Sequence, residues 1–274
     1  MNIETTSIDP AIASLLAFWA DAGVDAAYTV APVDRLAEGR RRLEAPAKAA
    51  QSQIAAPMGA MRPAMAPSGA PDPAVIATAR QLAQAAPDLE ALAAAIAAFD
   101  GCPLKGMGAR QAVFARGRAD APVMVIGEGP GADEDLQGLP FVGRAGKLLD
   151  RMLAAAGLAD QVFITNTVFW RPPGNRTPSL EEQAVCAPFV ERAIELVKPS
   201  YLVLLGGAAA KSLLQRNEGI LTLRGKWMEW TGPDGTTLPV LPTLHPAFLL
   251  RQPAAKKHAW ADMLSLTARI ARAP

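Results

Sequence analysis

The fold of this chain is organised around one segment, Val123-Met-Val-Ile-Gly-Glu-Gly-Pro-Gly-Ala-Asp-Glu-Asp135, together with the nearby Pro140-Phe-Val-Gly-Arg-Ala-Gly146. Its first four residues are apolar, mostly β-branched and followed by glycine, which is typical of a buried strand. The glycines at 127, 129 and 131 let the backbone turn sharply and approach a ligand closely, because no Cβ is in the way. Ligands of open α/β sheets bind beyond the carboxyl ends of the strands. We therefore predict the functional site at this loop.

Strand-like and helix-like segments alternate along the second half of the chain. The strand-like runs are 123–126, 162–165, 201–205 and 239–242. The helix-like segments are 143–156, 180–197, 208–215 and 254–271. This alternation predicts an α/β fold with three layers, in which a four-stranded parallel central sheet lies between helices on both faces.

The first half of the chain divides by composition. Residues 1–44 are predicted to form a helical extension, and residues 45–72 are dominated by Ala, Pro, Met, Ser and Gly. Such a segment is too poor in large apolar groups to offset the entropy of ordering, so it is predicted to be a flexible linker. The domain itself is predicted at 73–274, beginning with two helices within 73–99.

The composition narrows the class of protein. No apolar run approaches the roughly 20 residues that span a bilayer, and the N-terminus lacks a basic, apolar secretory signal. We therefore expect a cytoplasmic monomer without a membrane partner. The two cysteines, Cys102 and Cys186, provide no disulfide framework. A net charge of +1 does not indicate nucleic-acid binding, although a local basic strip would be sufficient for it.

The glycine loop also fits the pattern of a dinucleotide-binding fold, because Gly127-Glu-Gly-Pro-Gly-Ala132 has the required spacing. Two observations disfavour this interpretation. The loop carries Glu128 and then three acidic residues at 133–135, which would repel a pyrophosphate. The next strand also leads to Asn166 instead of the acidic residue that would hold a ribose.

Three side chains of different chemistry follow the predicted strands. Phe141 precedes a helix at a loop corner, Asn166 ends the second strand, and His245 follows the fourth. Read singly, they could be a core aromatic, a turn residue and a strand-end cap. Together they provide an aromatic face, an amide with donor and acceptor, and an imidazole. An extruded nucleobase requires this set, for stacking, for reading of its Watson–Crick edge and for a hydrogen bond to a carbonyl oxygen.

Five ordered blocks carry a family resemblance. They are Gly127-Glu-Gly-Pro-Gly-Ala-Asp-Glu-Asp135, Gly138-Leu-Pro-Phe-Val-Gly-Arg-Ala-Gly146, Thr165-Asn166, Arg171-Pro-Pro-Gly-Asn-Arg-Thr-Pro178 and His245-Pro-Ala-Phe-Leu-Leu-Arg251. From about residue 99 onward, the chain resembles the uracil-DNA glycosylase superfamily, and most closely its family 4. The residues before that point lie outside the resemblance.

The resemblance implies an enzyme that flips uracil out of DNA and hydrolyses its N-glycosidic bond. It implies that Phe141 stacks on uracil, Asn166 pairs with its edge and His245 donates to the base oxygen that gains charge, with Gly127 beside the base. In other branches an aspartate activates the water, and Gly129 stands at that position here. Glu128 is the candidate to orient water and Asp133 a second, although Glu128 could instead only accept loop amides.

DNA contacts are predicted on two loops. The loop 171–178 is stiffened by two prolines and presents polar side chains to phosphates. The segment after the histidine offers apolar side chains that could wedge into the base stack. The predicted DNA-binding residues are Arg171, Asn175, Arg176, Phe248, Leu249 and Arg251.

The chain departs from family 4 at the four cysteines that usually hold a [4Fe–4S] cluster. The corresponding positions are Phe99, Cys102, Trp170 and Cys186. Two of about four thiolate ligands are therefore missing. We predict no metal and no cluster, with the aromatic side chains filling the vacated volume and the two cysteines as buried thiols.

Two other functions remain open at this stage. One is a glycosylase for another deaminated base, such as hypoxanthine or xanthine. The other is a non-catalytic module that recognises uracil or single-stranded DNA, or that traps the abasic sugar covalently. The loop 221–228 lacks the histidine of the trapping branch, which disfavours trapping.

Overall fold

Six β-strands form one sheet in residues 71–272, the part of the chain that the computed structural model describes. The predicted extension at 1–44 and nearly all of the predicted linker lie outside the described residues. The strands are β1 (Ala115–Gly117), β2 (Val123–Gly127), β3 (Val162–Asn166), β4 (Tyr201–Leu205), β5 (Met228–Thr231) and β6 (Thr237–Thr243). Their order across the sheet is β1-β3-β2-β4-β6-β5.

The four predicted strands are the parallel centre of this sheet, since β3, β2, β4 and β6 pair in parallel. The short strands β1 and β5 add antiparallel edges. Both edge strands escape prediction because they are three or four residues long and partly exposed. The sheet is thus mixed, and the predicted α/β class is confirmed.

Nine α-helices surround the sheet in the described residues. They are α1 (Pro73–Ala85), α2 (Leu89–Ala98), α3 (Ala132–Gln137), α4 (Arg144–Ala155), α5 (Leu180–Val197), α6 (Gly206–Leu214), α7 (Ile220–Leu223), α8 (Pro246–Arg251) and α9 (Lys256–Ile270). Single 3₁₀ turns occur at Pro103–Gly106, Pro173–Asn175 and Pro253–Ala255. None of the helices at 71–272 combines the length and apolarity needed to cross a membrane.

Local sequence explains where the longer helices begin. The carboxylates of Asp72 and Asp88 accept backbone N–H groups at the starts of α1 and α2. At α5, Ser179 and Glu182 form a reciprocal capping box. Such caps satisfy the backbone donors that a helix leaves unpaired at its first turn.

The alternation of side chains along β2 produces the layers. Met124 and Ile126 point into an apolar core shared with α1, α2 and α5, whereas Val123 and Val125 point into a second core shared with α4 and α9. Successive side chains of a strand face opposite sides of a sheet. Every residue of β2, β3 and β4 is buried, which leaves their carboxyl ends as the place where polar groups meet a cavity.

Candidate active site

A cavity of about 550 Å³ opens beyond the carboxyl ends of β2, β3 and β6. Its volume falls in the range of small-molecule sites. Gly127 and Asn166 are register partners at the ends of β2 and β3. The predicted residues that line the cavity are Glu128, Gly129, Asp133, Phe141, Asn166, Asn175, Arg176, His245 and Arg251.

Phe141, Asn166 and His245 face one shared space. A Cβ built on Gly127 would collide with the tip of the Phe141 ring and would lie 2.5 Å from Asn166 Oδ1. The ring centroids of Phe141 and His245 are 5.6 Å apart. The ring, amide and imidazole therefore lie within about the width of one base. Glycine at position 127 keeps the space between Phe141 and Asn166 open.

The Asn166 amide is the unusual polar group of this site. The residue is 1% exposed, and its Oδ1 is a buried side-chain oxygen without a hydrogen-bond partner in the described part of the chain. A buried acceptor without a partner is costly, on the order of 1–3 kcal/mol. Natural structures retain such groups where a ligand provides the partner.

His245 is held in one tautomer by its own helix. It is the N-cap of α8, and its Nδ1 accepts the backbone N–H of Ala247 at 3.1 Å. A neutral imidazole that accepts at Nδ1 carries its proton on Nε2. Burial, assisted by the charge of Arg251 and opposed by that of Glu134, lowers the pKa of His245 to about 4. The residue is therefore a neutral Nε2–H donor at physiological pH.

This depressed pKa makes the stability of the protein depend on pH. Between its ordinary pKa of 6.5 and about 4, an unfolded His245 binds a proton that the folded protein does not. The free energy of unfolding should consequently fall as the pH drops through this window, by up to about 3 kcal/mol from this residue. In chemical denaturation at pH 7 and pH 4.5, His245→Asn should lose less stability than the wild type. Equal losses would contradict the buried neutral imidazole.

Glu134 connects the glycine loop at 127–131 to the segment 140–146. The sequence did not predict it as a site residue. Its Oε2 accepts the N–H of Gly131, and its Oε1 accepts the N–H groups of Val142 and Gly143 at 3.0 and 2.9 Å. The role of accepting loop amides, considered for Glu128, is thus filled by Glu134. Glutamate at the third helical position of α3, where a capping box would place it, is the sequence signal that could have identified it.

Glu128 and Asp133 both line the cavity. The hydroxyl of Thr167 donates to the backbone carbonyl of Glu128 at 2.6 Å, which fixes the loop at that point. A Cβ at Gly129 would contact Val168 and Pro178. The glycine therefore lies against the cavity wall and brings no side chain to the site.

The basic side chains of the loop 171–178, which precedes α5, are held by contacts within the protein. Arg171 donates to the Asn175 side chain at 2.7 Å. Arg176 binds both carboxylate oxygens of Glu182, at 2.8 and 2.5 Å. Burial alone would raise the pKa of Glu182, but the bonds from Arg176 and Ser179 leave it lowered. Arg176 is thus engaged in shaping the loop.

The prediction that Leu249 wedges into the base stack is wrong for this conformation. Leu249 is fully buried and packs with Leu244 and Ala259. Its neighbour Leu250 is 37% exposed and Phe248 is partly exposed. The short helix α8 turns position 249 inward, so Leu250 replaces it as the apolar candidate beside Phe248.

The four positions that correspond to the cluster cysteines of family 4 are packed in the apolar core. The sulfur atoms of Cys102 and Cys186 are 3.8 Å apart and buried. Burial raises the pKa of Cys186 well above its usual value, whereas the hydrogen bond from Cys186 lowers that of Cys102. Phe99 contacts Phe189 edge-on at 5.2 Å, and Trp170 is 1% exposed. Two thiols and two hydrocarbon-rich rings do not fit a cluster that needs four ligands.

A cavity beyond the parallel centre of an α/β sheet, lined by an aromatic ring, a buried amide and a fixed imidazole donor, is the arrangement expected of a protein that binds an extruded nucleobase. A sequence model of the Uracil DNA glycosylase superfamily matches residues 114–264. That span is more than half of the chain, so this protein belongs to the uracil DNA glycosylase superfamily. Within it, the chain is a family 4-like member.

Three relatives support this placement. The Type-4 uracil-DNA glycosylase of Thermotoga maritima is 41% identical over 152 residues, covering 55% of this chain and 77% of that protein. The protein of the same name from Saccharolobus solfataricus is 41% identical over 154 residues, 54% of this chain and 71% of its own. The one from Pyrobaculum aerophilum is 39% identical over 181 residues, covering 64% and 91% respectively.

Proposed function

We propose that this chain, acting as a monomer, removes uracil from DNA and leaves an abasic site. The proposal joins the family membership to the geometry of one cavity. The three relatives are named Type-4 uracil-DNA glycosylase, and the cavity is lined by Phe141, Asn166 and His245, to which we assign recognition of a flipped uracil.

The observation that carries the proposal is the buried Asn166 Oδ1, which has no hydrogen-bond partner among the described residues. Uracil presents an N3–H donor beside its O4 acceptor, and an asparagine amide offers an acceptor beside a donor. Cytosine presents the opposite pattern, with an N3 acceptor beside an amino donor. A buried site that hydrogen-bonds one pattern rejects the other strongly, because its polar groups are left unpaired. Asn166 would therefore select uracil.

The chemistry that follows is dissociative. As the glycosidic bond lengthens, the sugar gains oxocarbenium character and the base leaves as an anion with charge on its O2. The Nε2–H of His245 is preorganised to donate there, because Nδ1 is held by Ala247. A donor fixed before the reaction costs no reorganisation during it. The depressed pKa of His245 means that it stabilises the anion as a neutral donor without transferring a proton.

Water is expected to attack the sugar from the side of the glycine loop. Position 129 brings no carboxylate, so we assign orientation of this water to Glu128, with Asp133 as the second candidate. Both line the cavity. Because the leaving group is already stabilised by His245, a positioned water needs only weak activation.

DNA is expected to approach across the mouth of the cavity, over the loop 171–178 and α8. Arg144 and Arg251 line this mouth and are exposed, and neither has an ion-pair partner within 71–272. Phosphate contacts position such enzymes on DNA. We assign these contacts to Arg251, Arg144, Arg171 and Asn175, with Arg176 contributing through the shape of its loop. To Phe248 and Leu250, which are at least partly exposed, we assign support of the gap that the flipped base leaves.

The proposed function is tested with oligonucleotides that each carry one modified base. We expect the full chain to release uracil from single- or double-stranded DNA and to leave hypoxanthine and xanthine in place. Release of hypoxanthine or xanthine without uracil would replace the proposal by a different glycosylase. Binding of uracil-containing DNA without release would indicate a non-catalytic module, and a heat-stable protein–DNA adduct would indicate trapping.

We also propose that the protein works without an iron–sulfur cluster, since Phe99 and Trp170 occupy two ligand positions and pack in the core. Trp170→Cys should therefore lower the free energy of unfolding by about 3–5 kcal/mol, because it opens a cavity. Denaturant titration measures this loss, and iron is assayed on anaerobically purified wild type. Close to four irons per chain would contradict the proposal.

A further inference from the structure

The backbone of the stacking residue is held in an unusual conformation. Phe141 has a φ of 56°, in the left-handed region that aromatic residues rarely adopt. The residue is nevertheless 6% exposed, with its ring in the cavity. Such a conformation persists only when the surroundings hold it in place. The groups that hold it therefore determine where the stacking face lies.

Arg116 holds this backbone from behind. Its Nε donates to the carbonyl of Pro140 at 2.8 Å, and its Nη2 donates to the carbonyl of Phe141 at 3.2 Å. The same Nη2 lies 2.6 Å from Oδ1 of Asp150 on α4, which orients the guanidinium. The planar fork of arginine suits two neighbouring acceptors at fixed geometry.

The other side of the loop is fixed independently of Arg116. Glu134 accepts the N–H groups of Val142 and Gly143. A Cβ at Gly146 would collide with the Phe141 carbonyl, so only glycine allows α4 to approach that carbonyl so closely. The Arg116 guanidinium holds the carbonyls on one side of the loop, and the Glu134 carboxylate holds the amides on the other. Together these contacts stabilise the strained backbone conformation of Phe141.

We propose that Arg116 is a positioning residue for base recognition, which it serves through the backbone of Phe141. Arg116 lies on the edge strand β1 and is absent from the cavity wall. It cannot touch the base, and its effect on the reaction must pass through the ring of Phe141. The inference rests on the proposed function and adds to it a residue outside the site.

A double-mutant cycle tests this coupling with wild type, Arg116→Ala, Phe141→Leu and the double variant. Residues that act as a unit show non-additive effects. We expect Arg116→Ala to lower kcat/KM for uracil release about tenfold in the wild-type background and less than twofold in the Phe141→Leu background. Arg116→Lys should recover part of the loss, because one ammonium can still donate to one carbonyl.

The matched control is Arg118→Ala, on the first residue past the same edge strand. Arg118 pairs with exposed Asp120 and not with the 140–143 loop, so this variant should keep wild-type activity. If Arg116→Ala does not fold, Asp150→Asn and Arg116→Lys enter the same cycle.

Three outcomes would overturn the inference. Equal losses from Arg116→Ala in both backgrounds would show that it acts independently of Phe141. If Arg116→Ala lowered kcat/KM no more than Arg118→Ala does, Arg116 would have no positioning role. The proposed function would still hold in that case, because the wild type would still release uracil. If the wild type released no uracil, both this inference and the proposed function would be overturned.

Discussion

Replacing His245 by asparagine is expected to slow uracil release about a hundredfold or more. Removal of one preorganised oxyanion donor costs on the order of 3 kcal/mol in the transition state. Asparagine keeps an oxygen that can accept the Ala247 N–H at the start of α8 and is a favourable N-cap. It lacks a donor at the position of Nε2. The variant thus separates the chemical role of His245 from its role in the fold.

Single-turnover cleavage of a uracil oligonucleotide measures this effect. His245→Ala is the companion variant, since it removes both the donor and the cap. It should be as slow as His245→Asn but less stable to denaturant. If His245→Asn cleaved within threefold of the wild-type rate, the leaving anion would not be stabilised by this imidazole.

Replacing Asn166 by leucine is expected to lower kcat/KM for uracil release on the order of a thousandfold, because it removes both hydrogen bonds to the edge of the base. The same change should raise the free energy of unfolding by about 1 kcal/mol. Leucine has the branched shape of asparagine and removes a buried oxygen that has no partner in the described residues. Activity and stability should therefore move in opposite directions.

This opposition distinguishes a recognition role from general damage to the fold. Asn166→Asp is the companion variant, since it loses the donor to O4 and places a carboxylate beside the departing anion. It should also lose most of the activity, but without the gain in stability expected of Asn166→Leu. Loss of both activity and stability in Asn166→Leu would indicate instead that Asn166 supports the structure of the β3 end.

The parallel strands β2, β3 and β4 were predictable because they are short, mostly apolar runs that are buried on both faces. Tyr201–Leu205 was predicted to the residue, and β2 and β3 to within one residue at their ends. The edge strand β1 was not predictable, since Ala115–Gly117 carries neither an apolar run nor an alternating pattern.

The ring, amide and imidazole were predictable because each follows a recognisable strand or glycine loop. Their supporting residues were not. Arg116 reaches Pro140 and Phe141 across 24 and 25 positions of the sequence, and no local pattern encodes such a contact.

Leu249 illustrates a different difficulty. In a helix of six residues the apolar pair Leu249 and Leu250 leaves the inward position ambiguous until the packing is known.

In the proposed binding mode Asn166, Phe141 and His245 contact only the base, and this has a consequence for turnover. None of these contacts involves the bond that breaks, so free uracil keeps all of them after cleavage. The product should therefore compete with substrate and raise the melting temperature of the protein. When uracil leaves, the Asn166 oxygen again lacks a hydrogen-bond partner among the described residues. Release of uracil is therefore a candidate for the slow step of the cycle.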